Sequence, residues 1–296
     1  MPSEQQVPTA GGGATQAAIE HHYDVGSEFY RLWLGEEMVY SCGLWTGPLD
    51  DDLEAAQQAK LDWHATGAQV DGAQRVLDVG CGWGAMLRYL VAERGVARAT
   101  GLTLSSDQAA VAAASCPPVA EVLLEDWRDH RPDAPYDAIV SVGAFEHFAR
   151  SDLDAGQRLA VYSEFFAACA GWLPPGRRLS LQTIAYEDFD PATSAVSPFF
   201  TEEVFPESAL PLLPEIVAAS HRWFRLVTFR SDAEHYCRTL RLWQQRLEAG
   251  REVAVGMVGR DTYRHYLRYL RLSRAMFERD VCTLYRFVLQ RRPTPR

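Results

Sequence analysis

Arg75-Val76-Leu77-Asp78-Val79 runs directly into Gly80-Cys81-Gly82-Trp83-Gly84, and that loop into Ala85-Met86-Leu87-Arg88-Tyr89-Leu90-Val91-Ala92. The first segment is short, mostly apolar and bounded by glycine, which reads as a buried strand. The last reads as a helix. The glycines between them permit positive φ and let backbone approach a ligand closely. The start of the following helix offers unpaired N–H groups to an anion. A strand, a glycine turn and a helix in this order make the opening unit of a parallel α/β sheet.

The same rhythm continues outward. Ala99–Leu104, Ala120–Leu124, Ala138–Val142 and Arg178–Ile184 read as strands, with helices over Ser106–Ala114 and Ala155–Leu173. Trp223–Phe229 resumes a strand, two helices follow to about residue 279, and Val281–Leu289 closes the sheet. Alternation of this kind predicts an α/β fold with a mostly parallel seven-stranded sheet covered on both faces. Residues 1–15, with Gly11-Gly12-Gly13, read as a disordered leader. Residues 16–68 read as a helical N-terminal cap, with Asp50-Asp51-Asp52 as an acidic helix start. Residues 186–221 carry Pro191, Pro198, Pro206, Pro211 and Pro214 and are expected to form an inserted substrate lid. Residues 16–296 are thus expected to be one domain.

With 47% hydrophobic and 23% charged residues in 296, the chain can bury a large core and is globular rather than disordered. Its net charge of -10 opposes phosphate backbones and anionic lipid. No run approaches the ~20 apolar residues of a membrane span. These features exclude nucleic acid and stable membrane insertion and leave a small-molecule substrate; a homodimer is compatible with them. The C-terminal Arg260, Arg264, Arg268, Arg271 and Arg274 read as a solvated helix face. Six scattered cysteines with no CxxC pair point to free thiols in a reducing, cytoplasmic compartment and to no metal site.

A nicotinamide dinucleotide site would require G-x-G-x-x-G and an acid about 20 residues on, at the end of the second strand. Here the spacing is G-x-G-x-G, and the second strand ends Gly101-Leu102-Thr103-Leu104-Ser105 without an acid. That favours S-adenosylmethionine over a dinucleotide, with a ligand-free turn as the bland alternative. Thr103 and Gln108 are candidates for the ribose hydroxyls. After the third strand, Trp127 is placed to stack on an adenine and Asp126 to meet its exocyclic amine; the alternative is a tryptophan that merely fills a groove. Asp78 reads as ordering the glycine loop.

His22-Tyr23-Asp24, Val39-Tyr40-Ser41-Cys42, Leu77–Gly84, Gly101–Ser105, Gly143-Ala144-Phe145-Glu146-His147-Phe148 and His235-Tyr236 follow one another along the chain. Over about residues 20–290 this series resembles the cyclopropane-fatty-acid synthases and mycolic acid cyclopropane synthases. The resemblance implies a Rossmann-like class I methyltransferase fold with S-adenosylmethionine as methyl donor. It places Tyr40, Ser41, Gly80, Gly82 and Leu104 against the donor's methionine half, Thr103 and Gln108 against its ribose, and Trp127 against its adenine. It also implies a bicarbonate acting as general base, held where this chain has Cys42, Glu146, Gln182 and Tyr236, with the backbone of Ile184 contributing.

One departure matters. The family's His-Thr-Ile segment is Gln182-Thr183-Ile184 here. An amide donates and accepts hydrogen bonds but carries no charge, so bicarbonate binding is weakened. His221 is a candidate replacement for the missing histidine. The stretch between Ile184 and Phe200 looks short for enclosing a long acyl chain, and the acidic balance disfavours anionic phospholipid. These features lead to C-methylation of an electron-rich carbon, an indole C3 or an alkene, in a small specialised metabolite such as a tryptophan-derived cyclic dipeptide or an isoprenoid. One alternative is cyclopropane or methyl-branch formation on unsaturated fatty acyl chains, which brings bicarbonate dependence with it. The other is a donor-binding protein without catalysis.

Methylation of an indole or alkene leaves a cation, which carboxylates and aromatic faces stabilise. Glu146 follows the fourth strand at the sheet edge where such folds bind ligands, and is the candidate base or cation stabiliser. Tyr236 is its candidate hydrogen-bonding partner. Tyr23, Tyr236, Phe199, Phe200 and Trp45 are candidate aromatic walls, and Tyr186 and Glu187 candidate lining. His22 and His147 read as proton relays or scaffold histidines. Cys42 reads as a small polar packing residue beside the substrate, since no covalent step is required.

Overall fold

The computed structural model describes residues 13, 25–47, 52–187 and 208–295. Within them β1 (Arg75–Val79), β2 (Arg98–Thr103), β3 (Ala120–Leu124), β4 (Ala138–Val142), β5 (Arg178–Tyr186), β6 (Phe224–Ser231) and β7 (Cys282–Arg291) form one sheet. Its order is β3-β2-β1-β4-β5-β7-β6. The pairs among β1 to β5 are parallel, while β7 runs antiparallel to both β5 and β6. This is the mostly parallel seven-stranded, Rossmann-like arrangement that the sequence predicts.

Side chains alternate across a strand, and β1 and β4 show what each face buries. Val76, Ala138 and Val140 pack with Leu61 and Ala65 of α2 (Leu53–Ala68) and with Met86 and Leu90 of α3 (Ala85–Ala92). Leu77, Val79 and Ile139 pack on the other face with Phe165, Phe166 and Cys169 of α5 (Ala155–Trp172). Strands buried on both faces must be apolar throughout, as these are. α4 (Ser106–Ser115) follows β2 and is capped by Ser105, whose side chain accepts the Gln108 N–H.

Above the C-terminal edge of the sheet lies a separate, aromatic-rich core. It joins α1 (Ser27–Leu34) to α7 (Ala233–Ala249) and α8 (Arg251–Glu278). Trp33 and Tyr40 meet Trp243 at ring separations of 5.7 and 5.5 Å. α8 kinks at Gly259, whose φ is 79°.

Among the described residues the expected helical cap contributes two helices, α1 and α2, and residues 35–47, which carry Tyr40-Ser41-Cys42, are irregular. The end of the expected lid is helix α6 (Leu213–His221), packed against α5 and β6. Pro214 at its first turn is pre-set for helix entry. His22, Tyr23, Phe199, Phe200 and most of the expected leader lie outside the described residues.

Candidate active site

The glycine loop is held by β2: the N–H groups of Gly80 and Cys81 both donate to the Leu102 carbonyl at 2.9 Å. Gly80 has φ 83°, and a Cβ there would stand 2.3 Å from the Cβ of Ala144. No other residue fits, because the next loop of the sheet edge passes directly behind it.

In front of this loop a cavity opens over the ends of β1, β2 and β4. Tyr40, Ser41, Asp78, Gly80 and Gly82 line it, as do Thr103, Leu104, Gln108, Asp126 and Trp127. The structure therefore gathers in one place every residue that the sequence assigned to the donor. The Thr103 hydroxyl donates to Gln108 Oε1 at 3.0 Å, which leaves the Gln108 amide N–H groups for a ligand. Trp127 packs edge-on to Phe165, with ring centroids 5.4 Å apart, and carries the Arg128 guanidinium 4.3 Å from its centroid. Asp126 Oδ1 accepts the Arg128 backbone N–H at 2.8 Å, so this carboxylate also shapes the turn after β3.

A second cavity adjoins the first. It comprises about 1050 Å³ of empty space with its mouth included. Tyr40, Ser41, Gly143 and His147 border both. Glu146, Gln182, Ile184, Tyr186 and Tyr236 line the second, together with apolar groups such as Leu240, Met276, Phe277 and Leu284. A mostly apolar hollow with a few convergent polar groups is the usual form of a small-molecule site.

Glu146 sits on a single 3-10 turn, Phe145–His147, directly after β4. Its Oε1 accepts the Ile184 N–H at 2.7 Å, while its buried Oε2 has no hydrogen-bond partner among the described residues. Burial raises its pKa to about 7, partly offset by the Ile184 N–H and the Thr183 hydroxyl. It is thus poised to change protonation state near neutral pH. His147 is bound through Nδ1 to Ser208 Oγ at 2.8 Å, and burial lowers its pKa to about 4, so it is neutral. Tyr236 packs on Phe277 at 4.6 Å, and burial holds its phenol far above the usual range, in the protonated form.

Four buried groups behind this site escaped the sequence reading. Gln57, Lys60 and His64 recur along one face of α2 and are all buried. Gln57 Nε2 donates to the Ser41 carbonyl at 2.9 Å, Lys60 Nζ to Ser41 Oγ at 2.8 Å, and His64 meets Ser180 Oγ at 2.8 Å and Gln182 Oε1 at 3.3 Å. Arg286 of β7 donates to Gln182 Oε1 at 2.8 Å, to the carbonyls of Cys42 and Gly43, and to Asp232. A polar stripe at helical spacing on α2, and an arginine set between Tyr285 and Phe287 in the middle of a buried strand, are the signals that would have found them.

Several expectations need correction. His221 is exposed at the end of α6 and lines neither cavity. It precedes β6, which runs parallel to β5 through two antiparallel pairings; the β6 start at Phe224 lies near that of β5 at Arg178, as the pairs Phe224↔Arg291 and Arg178↔Gln290 show. That is the edge opposite Glu146. Cys42 lies behind the second cavity rather than on its wall: its thiol contacts the Gly43 carbonyl at 3.2 Å, and burial lifts its pKa to about 11. Glu187 instead accepts the Tyr285 hydroxyl, and Trp45 is tied to His235.

The bicarbonate implied by the resemblance would find only part of its cradle open: the Gln182 NH2 remains as a donor toward the cavity. The Ile184 N–H that would hold it is already taken by Glu146, and the Gln182 oxygen by Arg286 and His64. The carboxylate of Glu146 occupies that part of the cradle itself.

The profile of a family described as mycolic acid cyclopropane synthetase matches residues 13–287. Cyclopropane mycolic acid synthase 2 of Mycobacterium tuberculosis is 35% identical over 284 residues, covering 90% of this chain and 92% of that relative. The solved structure of the cyclopropane synthase MmaA2 from Mycobacterium tuberculosis superposes with a TM-score of 0.83 at 30% identity, covering 94% of this chain and 99% of that one. The mycolic acid cyclopropane synthase CmaA1 complexed with SAH and CTAB gives 0.81, again at 30% identity and with coverage of 94% and 99%. Fold, glycine loop and relatives define an S-adenosylmethionine-dependent methyltransferase. The chain belongs to the mycolic acid cyclopropane synthetase family. Among its described residues no helix is long and apolar enough to cross a membrane.

Proposed function

We propose that this protein transfers a methyl group to an alkene carbon of an unsaturated acyl chain, closing a cyclopropane ring or leaving a methyl branch. The observation that carries the reading is the placement of Glu146. A buried carboxylate with one oxygen unpartnered among the described residues borders a hollow walled by Leu240, Met276, Phe277 and Leu284. The family match over nearly the whole chain supports the acyl acceptor over an indole or isoprenoid metabolite. The loss of charge at Gln182 also weighs less than the sequence suggests, because Arg286 stands directly behind it.

In this reading Tyr40, Ser41, Gly80, Gly82 and Leu104 hold the methionyl half of the donor, Thr103 and Gln108 the ribose, and Asp126 and Trp127 the adenine. The alkene π pair attacks the sulfonium methyl, and the C–S pair returns to sulfur, giving S-adenosylhomocysteine. The resulting cation lies beside Glu146 and the aromatic faces of Tyr236 and Tyr186. Glu146 Oε2 then accepts a proton. Loss of that proton from the new methyl closes the ring; loss from a neighbouring carbon leaves a methylated alkene. No step passes through bicarbonate.

Incubation with labelled S-adenosylmethionine and a panel of unsaturated acyl thioesters, phospholipid vesicles, indoles and prenyl compounds tests this. Label in an acyl product supports the reading; turnover confined to indoles or prenyl compounds overturns it.

A further inference from the structure

We infer that Lys60 is a binding residue for the methyl donor: its ammonium takes the carboxylate of the methionyl end, together with the Ser41 hydroxyl. The inference rests on the assignment of the glycine-loop cavity to S-adenosylmethionine and is independent of the acceptor.

Lys60 is 1% exposed and lines the donor cavity beside Ser41 and Asp78. A lysine is almost never buried to this degree without an anionic partner, because its ammonium loses its hydration. Among the described residues its one hydrogen-bond partner is the neutral hydroxyl of Ser41, at 2.8 Å. Two of its three N–H donors remain for something else. Asp78 acts on Lys60 through space and borders the same cavity.

The geometry around Ser41 is built rather than incidental. Gln57, almost one turn before Lys60 on α2, donates to the Ser41 carbonyl at 2.9 Å. The same helix thus grips Ser41 at both its carbonyl and its hydroxyl. His64, one turn beyond Lys60, is anchored on Ser180 of β5 at 2.8 Å, which fixes the face that carries the ammonium. The methionyl end of S-adenosylmethionine is a zwitterion. One buried ammonium and one buried carboxylate on the floor of a single cavity match its two charges. Burial, with Arg286 adding to it and Asp78 only partly opposing it, also lowers the Lys60 pKa to about 7, a penalty that an arriving carboxylate relieves.

Calorimetric titration of the full chain with S-adenosylhomocysteine and with 5′-methylthioadenosine tests this. The second ligand keeps the nucleoside and the sulfur but lacks the amino-acid end. Lys60→Met is expected to weaken S-adenosylhomocysteine about 10- to 100-fold, the range of a hydrogen bond to a charged group, and to leave 5′-methylthioadenosine within about 2-fold. Equal weakening of both ligands, or of neither, overturns the inference. Should Lys60→Met not fold, the unaltered chain is titrated with the carboxamide of S-adenosylhomocysteine. A loss of about 10-fold or more is expected there, and binding as tight as that of the acid overturns the inference. Failure of the unaltered chain to bind either nucleoside overturns the donor-site assignment along with it.

Discussion

Arg286 and Gln182 stand directly opposite each other on the antiparallel pair β7 and β5, and Arg286 Nε donates to Gln182 Oε1 at 2.8 Å. With His64 at the same oxygen, the amide is oriented so that its NH2 is the group left for the cavity. The positive charge that Gln182 lacks stands fully buried behind it, paired with Asp232 and closing off the carbonyls of Cys42 and Gly43. Arg286→Met is expected to destabilise the fold by about 3 kcal/mol in denaturant titration, the low end for breaking a buried pair. The low end applies because Arg230 still pairs with Asp232 at 2.9 Å.

Glu146→Gln is expected to lower kcat/KM by about 10²- to 10⁴-fold, the usual worth of a positioned base. In the unaltered enzyme the base form of Glu146 appears as pH rises, so kcat/KM should climb through pH of about 7. The variant should lose that limb. Stability moves the other way. The native carboxyl keeps its proton between pH 4.5 and about 7 while the unfolded chain releases it, so stability falls as pH rises across that window. A flatter pH–stability profile in Glu146→Gln checks the sign.

Gly80→Ala places a methyl 2.3 Å from the Ala144 Cβ at a backbone φ of 83°. Strain of this kind costs about 1–3 kcal/mol before the clash is counted. The expected outcome is a lower unfolding midpoint together with weaker S-adenosylhomocysteine binding by calorimetry, since the loop must shift to relieve the contact.

Cys42→Ala should keep kcat within roughly threefold of the unaltered value, because a buried thiol with pKa about 11 is no nucleophile. His221→Ala should leave the rate unchanged, since this exposed residue lies at the opposite edge of the sheet. A hundredfold loss in either would contradict the placement of these residues.

The sheet was legible because its signals are local. Glycine after an apolar strand, acids at helix starts and alternation of the two periods set β1 through β7 within about two residues of their observed ends. Most of the donor site followed, because its residues sit at or just after the ends of successive strands; Tyr40 and Ser41, between α1 and α2, came from the family resemblance instead. Lys60, His64 and Arg286 were not legible in the same way. Their partners lie 19, 116 and 104 residues away in sequence, and only folding brings them together. His221 was misplaced for a related reason: its position depends on which way β6 runs, and an antiparallel β7 beside it cannot be read from spacing. Helix α6 reads as part of the lid from sequence because the prolines of residues 186–214 outweigh the apolar Ile216, Val217 and Ala219, although Pro214 stands where helices tolerate proline.

Tyr40, Ser41, Gly143 and His147 border both hollows, so in the proposed reading the donor lies on one side of them and the acceptor on the other. In that reading the group exchanged between them is the methyl, along the line from sulfur to carbon. A single molecule that carries an alkyl tail on the sulfur of the spent donor would cross this border and fill both hollows at once. Linking the two ends turns the second binding event into an intramolecular one, so such a compound gains from both sites without a new contact. Two-headed ligands of graded spacer length would then serve as a ruler for the separation of the two hollows.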